Sequence, residues 1–461
     1  MSRVILLPLT NATHPAPETG TGTVVNEEVL VDRYQLNPVG REALQSLPLV
    51  EVDKIAASGV QLLESSESTG PFFIPGWRLF PERILSLEDH RYQPLQVANN
   101  SASTKFLHTF RITDVSGIPL PNITVIMVSS KNPGDWQKGT TGKDGRIHLQ
   151  LRNTSTADIY IYPDHTYHNK IIAKQDLYSL QEITLETIRF DQQDFLRDTF
   201  PLGQLPVMKR RLRIGIADSG IGPHSFVPVK QNMNFIRGEE QTACFDQLGH
   251  GTQVAGIIQY LGKNTDGLSY IDLFNYRVVD DTNRASTFDI LKAIEQAKAD
   301  SCDILFLGPA GIGSDEVLLL AMKDAYETGL LCLYSAPEPP VYQAMSHKQT
   351  TASTIIKLDL FNSLNDLLRT KKLDSVFKTS YSLAGIAVTS YTQQLSVISA
   401  YPENKWCMMA GKDVAAPIAC GLSARLLSNE EQILAMPRNA KRCLAMQDFL
   451  NEMYNFLPSA V

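Results

Sequence analysis

Three short stretches of this sequence place a group able to hold or move a proton beside glycine. "IGIADSGIG" puts Asp218 just beyond a short apolar run, in an acidic turn. "DQLGHGTQVAG" puts His250 at the head of a segment with helical spacing. "MAGKDVAAPIACG" puts Asp413 ahead of small residues that run into a later helix. A carboxylate on a strand-end turn can accept the Nδ1–H of an imidazole and so fix its tautomer and orientation. Gly251, behind His250, lets backbone and substrate approach closely. Two carboxylates and one imidazole can do general acid–base work, bind a metal or form a buried charge bridge. Alone, each motif reads as an Asp in a turn or a capping His.

The elements around them are those of an α/β protein. From residue 211, "RLRIGIADSG", "YIDLFNYRVVD", "CDILFLG" and "LLCLYSA" read as short apolar strands. Between them lie helical patterns. One has its face at Val254, Ile257 and Ile258, one at Ile290, Leu291, Ile294 and Ala297, and "DEVLLLAMKDAYETG" is closed by Gly329. Strand–helix alternation predicts a parallel sheet with helices on both faces, over residues 208–430. Residues 105–190 instead alternate apolar and polar positions around turns at Ser116-Gly117 and Asp144-Gly145, which predicts an antiparallel β-sandwich. Residues 1–95 are expected to form a small α+β region, with strands at "SRVILLPL" and "EEVLVDRYQL" and a short helix at "GREALQSL". The polar stretch 91–104 reads as a linker, and 431–461 as a C-terminal helical tail.

Two families resemble parts of this chain. "DVSGIPLPNITVIM" and "GTTGKDGRIHLQL" are similar to the turn-and-strand pattern of transthyretin-like, or carboxypeptidase-regulatory-like, β-sandwiches. That resemblance covers roughly eighty residues and implies a non-catalytic module used for packing or binding. The Asp218, His250 and Asp413 motifs, taken in that order, resemble the Asp, His, nucleophile order of the subtilisin (subtilase) family of serine peptidases. The strand–helix–strand between His250 and residue 308 resembles the wall of that family's substrate cleft. The resemblance implies a prodomain-like role for residues 1–95, covering the cleft.

The chain departs from the subtilase pattern in two places. Asp413 stands where the resemblance places the nucleophilic serine, after Lys412 rather than Thr. The family's oxyanion asparagine aligns with Pro337 in "YSAPEP". Proline has neither a side-chain donor nor an N–H, and losing one such donor costs about 100- to 1000-fold in rate. Attack by a carboxylate on an amide would give a mixed anhydride, and an ionised carboxylate gains nothing from a base. With an imidazole between them, the two carboxylates would lie roughly 7 Å apart, too far to share a proton. That spacing suits a water-activating pair better, as in inverting glycosidases. Only Nε2 and Asp413 would converge on one ion, too few ligands for a metal site, and no cofactor is expected. An Asp218–His250–Asp413 bridge would raise the imidazole pKa above ~6.5, its stabilisation lost as pH rises through the raised value.

Three functions stay open at this point. The first is a pseudoprotease that binds or scaffolds a protein or peptide partner. The second is an active serine endopeptidase whose nucleophile lies elsewhere, with Ser219 and Ser423 nearest the motifs. The third is a non-proteolytic enzyme using Asp413 and His250 as acid and base. Composition narrows the partners. The 461 residues are 43% hydrophobic and 20% charged, with net charge −7 and no basic stripe interleaved with aromatics, so no nucleic acid is expected. Val4–Leu9 is shorter than the apolar core of a signal peptide, and no stretch reaches membrane-spanning length, which predicts a cytoplasmic protein. The six cysteines form no CxxC pair and read as reduced thiols.

Overall fold

Residues 2–8, 49–65, 77–88, 105–152, 155–191, 195–335, 377–382, 385–390, 396–410 and 414–455 are described by a computed structural model. The expectations for "EEVLVDRYQL", "GREALQSL" and the 91–104 linker lie outside these residues.

The apolar runs after residue 211 become the middle of a seven-stranded sheet. Its order is Val229–Asn234, Ile271–Arg277, Leu212–Asp218, Ile304–Leu307, Leu331–Ser335, Gly385–Ser390 and Phe377–Ser382. Every neighbouring pair is parallel except the last, so an antiparallel hairpin closes a sheet expected to be parallel throughout. Central strands such as Ile304–Leu307 are buried at every position, as strands covered on both faces must be.

Helices cover both faces. On one, His250–Leu261, Ala415–Leu427 and Ala440–Asn455 pack into a single apolar core with Ile214, Ile216 and Phe306. Every residue of His250–Leu261 is buried, so the helix has no solvent face at all and the Val254 stripe is only part of its packing surface. Cys443, Met446, Phe449 and Leu450 of the last helix are buried in this same core. On the other face lie Thr287–Ala299, whose first turn Ser286 caps at Phe288 N, and Glu316–Glu327, capped by Asp315 at Val317 N and Leu318 N.

Against those two helices packs a four-stranded antiparallel sheet from the N-terminal region, in the order Leu49–Ile55, Val60–Ser65, Ser2–Pro8, Trp77–Pro81. Ile5, Ile55, Leu62 and Phe80 share a core with Phe288, Leu291, Leu318 and Met322. The sandwich has the expected two layers, of four and three strands, around Phe110, Val125, Leu149 and Ile159. One strand departs from the expectation: Glu182–Leu185 pairs parallel with Lys105–Asp114, because the chain crosses between layers before returning. The sandwich meets the α/β unit where Phe190 stacks on Trp406 at 3.9 Å and Thr166 N donates to Trp406 O at 2.7 Å.

All six cysteines are buried and unpaired. No helix among the described residues is long and apolar enough to cross a membrane.

Candidate functional site

Asp218 ends a central strand, at the carboxyl edge of the sheet where α/β folds place their sites. Its carbonyl accepts from Val278 N at 2.9 Å and Val279 N at 3.2 Å, which ties the turn to the next strand's exit. His250 opens its helix behind Gly249, which adopts φ 83°. The two side chains meet: His250 Nδ1 lies 2.9 Å from Asp218 Oδ1 and 3.0 Å from Oδ2. Asp218 is fully buried and His250 nearly so, which keeps water from competing for the pair. Ser219 N also donates to Asp218 Oδ1 at 2.7 Å.

Two glycines make this approach sterically possible. A Cβ on Gly251 would stand 2.1 Å from Gly220 O, and one on Gly308 would stand 1.9 Å from Asp218 Oδ2. Gly308 is the last residue of "CDILFLG", whose apolar pattern marks a strand but not the carboxylate beside it.

Asp246 is the residue that sequence reasoning missed. It is 1% exposed, and its Oδ1 accepts from Gly249 N at 2.7 Å. Its Oδ2 accepts from Thr252 N at 2.8 Å and Thr252 Oγ1 at 2.6 Å. Ser219 Oγ lies 2.8 Å from Asp246 Oδ1 and accepts from Gly251 N at 2.9 Å. One buried carboxylate therefore laces the Asp218 turn to the first turn of the His250 helix. Burial pushes its pKa up, and the Thr252 and Ser219 hydrogen bonds oppose that shift. The usable signal was its place four residues before the histidine, where a helix start leaves backbone N–H groups needing an acceptor.

Asp413, Lys412 and Pro337 lie outside the described residues. The helix that follows Asp413, Ala415–Leu427, packs on the His250 helix so closely that a Cβ on Gly421 would come 2.8 Å from Leu261 Cβ. Neither alternative serine stands free to react. Ser219 is held among Asp218, Asp246 and Gly251 on the carboxylate side of the pair, and Ser423 is fully buried inside its helix. No group of three or more His, Cys, Asp or Glu side chains that could hold a metal occurs among the described residues.

A segment of the N-terminal region reaches this edge of the sheet. Ile84–Leu85 pairs antiparallel with Ala285–Ser286. Arg83 and Thr287 exchange backbone and side-chain hydrogen bonds, Leu87 brackets the Asn283 amide, and Ala310 N donates to Ser86 O at 2.8 Å. The chain thus lays its own extended segment along the turn that follows Gly308.

Charge at this junction supplies a pH test. Asp289, in the first turn of Thr287–Ala299, is 4% exposed and lies 4.0 Å from Lys292 Nζ. Burial pushes its pKa up to about 7, against the lowering effect of Lys292 and Arg237. The folded protein therefore holds this proton more tightly than the unfolded chain does. Its contribution to stability is full below the unfolded value near 4 and declines as pH rises to about 7. Asp289→Asn should flatten the curve, gaining about 3 kcal/mol on wild type between pH 4 and pH 7 in urea titrations. Parallel curves for the two proteins would refute the assignment.

No family model matches the sequence, and no curated protein matches it. Among solved structures, the chain is similar to a lanthipeptide protease, with 17% identity and a TM-score of 0.35, over 54% of this chain and 82% of that one.

Proposed function

We propose that this chain is a subtilisin-like pseudoprotease that acts by binding, with a protein or peptide segment as its ligand. The observation that carries the reading is the assembled Asp218–His250 pair, followed in sequence by a helix-start frame with aspartate at 413. With aspartate at 413, where the resemblance places the serine, an oriented imidazole can hold a partner's charge or a hydrogen bond but gains no hydroxyl from that position to activate for acyl transfer. Pro337, at the place the resemblance gives to the oxyanion donor, removes the second requirement. The segment 83–88 supports a cleft still able to take an extended strand, as in recognition by strand addition. In this reading the N-terminal region is prodomain-like and is the cleft's resident occupant.

A fluorophosphonate probe tests the reading on the full chain. No serine should be labelled in the wild type. Asp413→Ser should leave peptide hydrolysis at least about 100-fold below that of an intact subtilase, because the asparagine donor is still missing. Stoichiometric labelling of a wild-type serine would overturn the proposal.

A further inference from the structure

We propose that the amino edge of the central sheet carries a binding site for a phosphate dianion, either free or as the monoester of a small molecule. A cavity of about 320 Å³ opens there. Arg210, Arg211 and Arg213 line it from the segment entering the Asp218 strand, and Arg438 and Arg442 line it from the C-terminal region. Arg213 and Asp218 lie five residues apart on one strand, about 16 Å, so this site and the Asp218–His250 pair occupy opposite ends of the sheet.

The charges do not balance within the protein. Arg210 pairs with Glu431, Arg211 with Asp272 at 2.9 Å, and Arg438 and Arg442 share Asp303 Oδ1 at 2.8 and 2.6 Å. Arg213 donates to a carbonyl, Asp300 O, at 3.1 Å. Three carboxylates thus serve five guanidinium groups, leaving an excess of two positive charges.

A second observation points to a ligand. The Arg442 side chain is 3% exposed, yet its Nε and Nη1 have no hydrogen-bond partner among the described residues. Buried guanidinium donors left unmade are costly, and an oxyanion in the cavity that Arg442 lines would draw its fork outward to satisfy them. Phosphate fits on charge, since it is close to a dianion at neutral pH, and on geometry, since its oxygens match guanidinium forks. The lining contains no aromatic ring on which a nucleobase could stack; Leu434 and Ala435 are its apolar members. A compact phosphate ligand therefore fits better than a nucleotide. Bound there, it would clamp the C-terminal helix to the sheet.

The test uses the full chain, with potassium phosphate, glycerol 3-phosphate and potassium chloride matched in ionic strength. Either phosphate compound should raise the melting temperature by a few degrees over chloride and bind measurably by calorimetry. Phosphate alone binding assigns the free anion, and tighter binding of the ester assigns a monoester. Arg442→Gln should weaken binding at least about tenfold. Arg213→Gln, at an exposed position, should do the same without threatening the fold. No stabilisation beyond that of chloride, or an unchanged affinity in Arg213→Gln, would overturn the proposal.

Discussion

Replacing Gly308 by alanine is expected to break the Asp218–His250 pair at a cost of about 4 kcal/mol. The new Cβ would lie 1.9 Å from Asp218 Oδ2 and 2.7 Å from its Cγ, while its next neighbour, Ala217 O, is at an ordinary 3.4 Å. Gly308 does not adopt a left-handed backbone, so alanine is conformationally acceptable and the conflict is with one carboxylate. That carboxylate cannot swing aside freely. It holds His250 Nδ1 and Ser219 N, and moving it strands a buried charge. A double-mutant cycle isolates the effect. In an Asp218→Ala background the space is empty, and Gly308→Ala should then cost less than about 1 kcal/mol. Asp218→Asn should give no relief, because the amide fills the same volume. In proton NMR the far-downfield Nδ1–H resonance of His250 should be present in wild type and absent in Gly308→Ala. Equal costs in both backgrounds would place the strain in the strand and not at the pair.

What the sequence could reveal about this site followed from periodicity and from local motifs. The parallel strands and their covering helices were readable because each hides a short apolar run between Gly-marked turns. Asp218 and His250 were readable because each stands at an element end beside glycine. Asp246 was not, since its role depends on two backbone N–H groups and two hydroxyls brought together by folding. The parallel pairing of Glu182–Leu185 was hidden for a similar reason: alternation reports which face is buried and says nothing of strand direction. The antiparallel Phe377–Ser382 edge carried too little pattern to distinguish it from the parallel strands before it. The approach of segment 83–88 to Asn283 and Ala310 spans about two hundred residues of sequence, a separation that no local pattern encodes.

The largest loss from a single side chain is expected at Arg425. The residue is 1% exposed, inside the helix that begins two residues after Asp413. Nε donates to Leu261 O at 2.7 Å, Nη1 to Pro206 O at 2.6 Å, and Nη2 to Lys263 O. Leu261 ends the His250 helix, so one guanidinium meets carbonyls at and just past a helix C-terminus that would otherwise be buried without donors. Its charge also faces the negative end of that helix dipole. Burial lowers its pKa to about 10, which still leaves it charged at neutral pH. Arg425→Met keeps much of the volume and removes every donor, and should cost about 5 kcal/mol in urea unfolding. Arg425→Lys keeps the charge but cannot span three carbonyls, and should cost about half as much. Equal stability of the two variants would show that packing, and not hydrogen bonding, is the residue's contribution. The same contacts fix the helix after Asp413 against the helix headed by His250. On the function proposed above, these contacts would be kept without a nucleophile, because they hold two helices together and take no part in chemistry. If the chain binds a peptide as proposed, Arg425→Met should also weaken that binding in the same variant series.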